Sequence, residues 1–224
     1  MRIVRKLGYT LLMAAVPVVA NAQQKAAPTS SRTEFQDSWY WGVKGGMASF
    51  DPNGAGRVSA TAVGAEWMIT RSRAALYVSV DQSFFDETAG IFDPSVQGSV
   101  RPVAISDLRR YSASLFAFPA NWSGLRPYLG VGLSINVIQN ADPKGTFLTQ
   151  DSQTSVFEQV NELTSKVSPT FTAGAQVNAG RFALFGQASA MPTRNNFLIS
   201  GGSHTFVFEG GLRFNLASAI EQLK

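Results

Sequence analysis

The sequence contains no cysteine in its 224 residues. Disulfide bonds, thiolate metal sites and an acylated lipoprotein cysteine are therefore excluded. There is one histidine, His204, so any histidine-dependent chemistry must use it. Beyond residue 22 the chain also lacks a run of about 18 apolar residues, which is what a membrane-spanning helix needs. A helical membrane protein is not indicated.

Charge is scarce, at 19 basic and 15 acidic residues. Three of the bases, Arg2, Arg5 and Lys6, lie at the start of the chain, and without them the balance is 16 against 15. The basic character therefore belongs mainly to the N-terminus. It gives no support for a nucleic-acid partner, which would require a basic patch on the folded domain.

The first 22 residues have the organisation of a secretion signal. A positive start is followed by a short apolar run that Pro17 interrupts, and then by Ala20-Asn21-Ala22. Signal peptidase requires small residues in this arrangement. We expect cleavage after Ala22, which leaves residues 23–37, polar in composition, as a flexible periplasmic segment.

From about residue 38 the chain alternates between apolar and polar side chains. In the clearest stretch Leu129, Val131, Leu133 and Ile135 are separated by small or polar residues. A period of two is the pattern of a β-strand with one apolar face. Eight such stretches, between residues 38 and 216, predict eight strands.

The connections between the predicted strands alternate in length. Those after strands two, four and six are short, whereas most of the others are longer, chiefly residues 86–105 and 139–166. A short helical turn is predicted within the second of these loops. Tight turns at one end and long loops at the other are typical of an up-and-down barrel in the outer membrane. The rival architecture is a soluble lipocalin-like barrel, whose apolar parity would face inward.

Two segments resemble strands of small bacterial outer-membrane β-barrel proteins of the OmpA/OmpX type. Tyr128-Leu129-Gly130-Val131-Gly132-Leu133 is similar to a mid-barrel strand, and residues 208–214 are similar to the closing strand. The resemblance covers residues 39–216, and residues 217–224 form a short tail. It implies an all-β, eight-stranded antiparallel transmembrane barrel in contact with lipid and lipopolysaccharide. It also implies that Phe208, Leu212 and Phe214 are read by the barrel assembly machinery.

Six charged residues occupy strand positions on the face opposite to the apolar side chains. They are three bases and three acids: Lys44, Arg110, Arg213, Glu66, Asp81 and Glu209. A basic residue facing lipid at the midplane costs about 2–4 kcal/mol, so we expect all six to point into the lumen. An eight-stranded lumen is narrow enough for side chains to fill. We expect the charges to pair and form a polar plug that holds the barrel shape, and the alternative is that they line a narrow pore.

Aromatic residues are concentrated near the predicted strand ends. Amphipathic rings favour the membrane interface, so we predict an aromatic girdle. Its members are Trp39, Trp41, Trp67, Tyr111, Trp122 and Tyr128.

No catalytic or metal-binding pattern is evident. Some small barrels modify lipid A with a serine, a histidine and an acid, but His204-Thr205-Phe206 lacks the His-x-Ser spacing expected of the deacylases. Acidic residues in the loops are scattered, unlike those of calcium sites. We therefore expect no cofactor, no metal and a structural or surface-interaction role, with a narrow channel and a lipid-modifying enzyme as alternatives.

Overall fold

The computed structural model describes Phe35, residues 37–193 and residues 196–218. The predicted signal lies outside the described residues, as do residues 23–34, Gln36 and residues 219–224. One helix and eight strands follow in this order: β1 Ser38–Phe50, β2 Val58–Arg71, β3 Ala74–Phe92, β4 Val100–Ala117, β5 Leu125–Pro143, α1 Gln150–Glu162, β6 Ser165–Ala179, β7 Phe182–Pro192 and β8 His204–Ser218. No helix in the described part of the chain is long and apolar enough to cross a membrane.

The eight strands form a closed antiparallel barrel in which each strand pairs with its neighbour in sequence. The barrel is closed by β1 and β8, which pair from Ser38↔Ser218 to Ser49↔Phe206. Because the strand number is even, the start of β1 and the end of β8 lie at the same end of the barrel. This end also carries the short turns after β2, β4 and β6. We call it the turn end and the opposite end the loop end.

Burial alternates along each strand, as the sequence pattern predicts. The outward parity is apolar on every strand, with Val43, Val63, Val78, Leu115, Leu133, Phe171, Leu184 and Phe208 as examples. The lipocalin-like alternative requires the apolar parity of the strands to face inward. The structure shows the reverse, so that alternative is wrong.

Three strands are longer than the sequence pattern predicts. Residues 86–105 are not one long loop, because β3 continues to Phe92 and β4 begins at Val100. The inward parity of β4 changes from odd to even numbers at Asp107, which has a positive φ of 57° and lies opposite a register shift in β3. On β5 the inward parity changes in a similar way beyond Ile138. Alternation is therefore interrupted within continuous strands.

The loop between β5 and β6 contains α1, which is longer than the predicted helical turn. Thr149 is its N-cap: the Thr149 side chain accepts a hydrogen bond from the Ser152 backbone N–H, and Ser152 Oγ accepts one from the Thr149 N–H. This capping box satisfies backbone donors that the first helical turn leaves free. Val156 and Val160 are the buried residues of the helix. They face the loop end of the barrel interior.

The interior has three layers. The middle one, the charged layer, contains the six predicted charges. Toward the loop end is the apolar cap, formed by Ala48, Phe50, Ala60, Ala89, Ile91, Val103, Ile105, Leu108, Ile138, Val156, Val160, Met191, Phe197, Leu198, Ile199 and Val207. Toward the turn end is the aromatic base, formed by Phe35, Tyr40, Met68, Ala75, Tyr77, Phe116, Phe118, Tyr128 and Ala183.

Candidate functional site: the filled lumen

Four charged side chains meet in the charged layer and form a closed cycle of alternating charge. Lys44 Nζ lies 2.8 Å from Asp81 Oδ1 and 3.1 Å from Glu209 Oε2. Arg110 Nη2 lies 2.9 Å from Asp81 Oδ2 and 2.9 Å from Glu209 Oε1. We call these four residues the charged quartet. Because β4 and β8 lie on opposite sides of the barrel, the contact between Arg110 and Glu209 crosses the lumen.

A second ion pair lies nearer the turn end, where Arg213 of β8 and Glu66 of β2 meet over Gly42 of the intervening strand β1. Arg213 Nε donates to Glu66 Oε1 at 2.5 Å, and Arg213 Nη1 donates to Gln176 Oε1 at 2.7 Å. The guanidinium carbon lies 3.8 Å from the centre of the Phe185 ring. Ionic, hydrogen-bonding and cation–π contacts therefore offset part of the arginine's loss of water, while its Nη2 has no hydrogen-bond partner among the described residues.

The tyrosine Tyr77 connects the two ion-pair groups. Its hydroxyl accepts a hydrogen bond from Lys44 Nζ at 2.9 Å and donates one to Glu66 Oε2 at 2.9 Å. The Tyr77 ring stacks on Phe116, with the ring centres 4.6 Å apart. Tyr77 was not among the predicted lumen residues, although its position between the outward-facing Leu76 and Val78 indicates that it points inward.

The space left in the charged layer is small. Hydroxyl groups of β4–β7 hydrogen-bond to one another across from the quartet, with Ser112 and Ser134 at 2.9 Å and Thr172 and Ser189 at 2.9 Å. Between the hydroxyls and the quartet remains a cavity of about 10 Å³. A single water molecule needs about 10–15 Å³. The charged layer therefore leaves room for at most about one water.

The aromatic base requires one correction to the predicted girdle. Tyr128 faces the lumen, is 1% exposed and stacks on Phe116 with ring centres 5.0 Å apart. Its hydroxyl donates to Gln187 Oε1 at 3.0 Å. From Tyr128 to Ile138 the even-numbered positions of β5 point inward. The next inward position is Gly130, where a Cβ atom would overlap the Phe116 ring. The prediction that Tyr128 faces the membrane interface is wrong.

The other five girdle residues are exposed on the outside of the barrel: Trp39, Trp41, Trp67, Tyr111 and Trp122. Trp41 and Trp67 are cross-strand partners in β1 and β2, and Trp122 lies in the turn between β4 and β5. The closing-strand residues Phe208 and Leu212 also face outward, and Phe214 lies against Phe182 with ring centres 5.1 Å apart. The strand continues past them to Ser218, so the predicted tail begins within β8.

Phe35 closes the aromatic base from the turn end. The ring packs edge-on against Phe118, with the ring centres 4.6 Å apart. The Phe35 carbonyl accepts a hydrogen bond from the Thr70 hydroxyl, which also accepts one from the Ser38 backbone N–H at 3.1 Å. Part of the segment predicted to be a flexible lead-in is therefore fixed to the barrel at this residue.

The apolar cap is completed by the loop between β7 and β8. Its consecutive residues Phe197, Leu198 and Ile199 are buried. The Leu198 backbone N–H donates to the Leu163 carbonyl at 3.1 Å, and the Leu198 carbonyl accepts from the Asn53 N–H at 2.9 Å. These bonds connect three loops over the loop end of the lumen. Alternation did not indicate the cap, because this segment is apolar at successive positions.

Arg101 fixes the extended hairpin of β3 and β4 to the start of the loop that contains α1. Its Nε donates to Asp93 Oδ2 at 2.5 Å, and Nη1 donates to the Lys144 carbonyl at 2.9 Å. Its guanidinium carbon lies 4.2 Å from the centre of the Phe147 ring. Hydrogen bonds from Ser95 and Arg101 lower the pKa of Asp93 to about 2.

The single histidine has a serine neighbour but no acidic partner among the described residues. Ser203 Oγ lies 2.7 Å from His204 Nδ1, and the imidazole lies 6.0 Å from the Phe206 ring centre. A serine nucleophile needs a base that a third group orients, and no described carboxylate bonds to this imidazole. Within the described ranges there is also no group of three histidine or carboxylate side chains arranged to hold a metal ion.

Comparison with known proteins shows similarity of structure rather than of sequence. No protein-family model matches the chain, and no curated protein matches it. The structure is similar to the crystal structure of Neisserial surface protein A (NspA), with a TM-score of 0.53 and 10% identity over 80% of this chain and 97% of that one. This chain has the barrel fold of NspA. The predicted eight-stranded closed barrel is therefore confirmed.

Two further solved structures from Pseudomonas aeruginosa are more distant matches. The N-terminal β-barrel domain of OprF has a TM-score of 0.46 and 12% identity, covering 81% of this chain and 98% of that one. The outer membrane protein OprG has a TM-score of 0.39 and 12% identity, covering 80% of this chain and 94% of that one.

Proposed function

We propose that this chain is a non-enzymatic outer-membrane barrel with a closed lumen that serves as a scaffold for an outward-facing interaction surface. The continuous apolar outer face supports the membrane location, because lipid is the solvent in which exposed valine, leucine and phenylalanine are stable. The fold shared with NspA and the predicted secretion signal agree with it.

The observation that carries the proposal is the filling of the lumen at three levels. The aromatic base closes the turn end, the charged layer leaves about 10 Å³, and the apolar cap covers the loop end. A conducting pore needs a continuous path for water. The closed interior therefore favours a rigid scaffold over the alternative of a narrow channel.

The loop end provides the interaction surface. Strands β3, β4 and β5 extend past the apolar band, and α1 packs over the lumen between them and the last loop. Apolar side chains remain exposed on this projection, namely Phe92, Val100, Leu148 and Phe157. Exposed apolar groups held on a rigid frame are typical of protein interaction sites.

Lipid and the assembly machinery complete the proposed partners. Lipopolysaccharide would surround the loop-end half of the barrel, and the outward-facing Phe208, Leu212 and Phe214 of β8 are the proposed assembly signal. The arrangement at His204 supports no lipid-modifying activity, and we propose no cofactor.

The absence of native cysteine allows a direct test of the orientation. Leu148→Cys adds a thiol to the proposed outer surface, and Ser72→Cys adds one to the turn between β2 and β3. On intact cells a membrane-impermeant maleimide should label the first variant only. Labelling of the second alone, or recovery of both variants from the soluble periplasm, would contradict the proposal.

Conductance decides between scaffold and channel. The purified chain, reconstituted in a planar bilayer, should show no stable ohmic current. A reproducible unit conductance from the wild-type protein would support the narrow-channel alternative instead.

A further inference from the structure

The turn end of the barrel carries arginines without acidic partners. The described residues at this end include Arg71, Arg73, Arg126 and Arg181, and none of them forms an ion pair with a described carboxylate. The one described carboxylate at this end is Asp37, which has contacts of its own. The charged layer differs in that each of its cations has an anion. Among the described residues, the turn end therefore has an excess of positive charge.

Two of these arginines line the same cavity. A cavity of about 250 Å³ lies between the turn that joins β2 to β3 and the turn that joins β4 to β5. Its lining includes Arg73 from the first turn, Asn121 from the second and Arg126 from the start of β5. The two turns are held together by the hydrogen bond from the Phe118 N–H to the Arg73 carbonyl at 2.7 Å. The cavity is therefore built on hydrogen-bonded backbone.

Arg126 is the unusual member of the pair. Its side chain has the inward parity of β5, and its guanidinium carbon lies 4.3 Å from the centre of the Phe35 ring. The buried Nε has no hydrogen-bond partner among the described residues. A buried donor without a partner costs about 1–3 kcal/mol, and more when it is charged. Stacking on Phe35 leaves the in-plane N–H group of the guanidinium unsatisfied, because a ring face does not accept an in-plane hydrogen bond.

We propose that this cavity binds an oxyanion of the phosphate class through Arg126 and Arg73. A guanidinium presents its donors in a planar fork that matches two oxygens of a phosphate. The Asn121 side chain lines the same cavity and adds an amide. The described residues that line the cavity include no carboxylate, so none of them repels an anion. The phosphate has two possible sources, a phospholipid headgroup of the periplasmic leaflet or a soluble phosphate compound.

The test uses the full-length chain, labelled with ¹⁵N, in micelles of an uncharged maltoside detergent that contains no phosphate. The Nε–H resonances of the arginines report each side chain separately while inorganic phosphate is added. The Arg126 and Arg73 resonances should shift and saturate, whereas those of Arg71 and Arg181 should not. Equal, non-saturating shifts of all four would indicate general ionic attraction and overturn the proposal.

Matched substitutions sharpen the result. Arg73→Gln removes one side of the cavity without touching the Phe35 stack, and it should weaken phosphate binding about tenfold or more, as expected for loss of a charged hydrogen bond. Arg71→Gln removes the same charge from the same end but outside the cavity, and it should have no such effect. Equal weakening by the two variants would contradict a specific site. Unchanged heat-modifiable migration on gels verifies that both variants are folded.

A short-chain phosphatidylglycerol distinguishes the two sources. If dihexanoyl phosphatidylglycerol saturates the Arg126 shift at a lower concentration than inorganic phosphate does, the site is for a lipid headgroup. If it binds no better, the site is for a soluble phosphate compound. If neither probe saturates the shift, the proposal fails, whether or not the barrel conducts ions.

Discussion

The charged layer and the apolar cap are built from inward-facing residues of the same strands, but their chemistry is opposite. In the charged layer every ion depends on partners at fixed distances, as in the quartet of Lys44, Asp81, Arg110 and Glu209. In the apolar cap, residues such as Phe50 and Leu198 are stabilised by close packing that leaves no empty space around them. Loss of one group should therefore leave an uncompensated charge in the first region and a cavity in the second.

The largest effect is expected in the charged layer. Glu209→Gln leaves Lys44 and Arg110 with a single shared anion, Asp81, and should lower the free energy of unfolding by about 3–5 kcal/mol, the usual cost of a broken buried ion pair. This change in the free energy of unfolding can be measured by urea unfolding in detergent micelles, with tryptophan fluorescence as the readout.

A double variant provides the control. Lys44→Met combined with Glu209→Gln removes one charge of each sign and leaves Asp81 paired with Arg110. It should be less destabilised than Glu209→Gln alone, although it changes more atoms. A double variant as unstable as the sum of the two single variants would show that charge balance does not determine stability here.

A smaller and more local effect is expected in the apolar cap. Leu198 is 0% exposed, and Leu198→Ala should destabilise the cap by about 2–4 kcal/mol through lost burial and a residual cavity. Hydrogen exchange should speed up in α1 and in the last loop, while amides of the charged layer stay protected.

Leu148, on the same end but 80% exposed, is the control, and Leu148→Ala should change stability by less than about 0.5 kcal/mol. Uniform loss of protection throughout the barrel would mean that the cap is not a separate unit.

The aromatic base provides an intermediate comparison. Tyr128→Phe removes the hydrogen bond to Gln187 and should cost about 0.5–1.5 kcal/mol. Tyr111→Phe removes a hydroxyl from the outer surface and should change the free energy of unfolding much less. If the two substitutions have the same effect, Tyr128 does not face the lumen.

The smallest effect is expected from acid at the loop end. The pKa of Asp93 is lowered from 3.8 to about 2, so the protonated carboxyl is disfavoured in the folded protein. The stabilisation is therefore complete above about pH 4 and is lost as the pH falls toward 2. The protection factors of the amides in residues 93–101, that is, the exchange rates of the unfolded chain divided by their own at the same pH, should fall over this interval. Asp93→Asn should lower these protection factors at neutral pH and remove their dependence on pH, and an unchanged profile would exclude Asp93 as its source.

Strand alternation was sufficient to predict the barrel, because parity assigns each side chain to one of two faces. It placed Lys44, Glu66 and Arg213 inside and Trp41 and Trp67 outside, as the structure does. It was insufficient where parity changes within a strand. The change at Asp107 and the similar one beyond Ile138 therefore made the start of β4 and the end of β5 look like loops. On β3 the parity is constant, and its extension was missed because Asp86, Thr88 and Gly90 interrupt the apolar outward face.

The error at Tyr128 has a different cause. An aromatic residue near a strand end is compatible with both the membrane interface and the lumen. The even number of Tyr128 on β5 indicates the lumen, because the even-numbered positions in this part of the strand point inward. The partners of the six charges also lay beyond sequence reasoning. Arg110 and Glu209 are 99 residues apart, and they meet because β4 and β8 lie on opposite sides of the lumen.

The strand number, the up-and-down order and the charged parity can be predicted from the sequence, because they follow from local periodicity and connection length. The depth of each residue in the lumen cannot be predicted in this way, because it depends on how the barrel closes. Closure of the barrel places distant strands face to face, and this separates inward residues into base, charged layer and cap. The pairing of each charge, the burial of Phe197–Ile199 and the arginine-lined cavity at the turn end all depend on that closure.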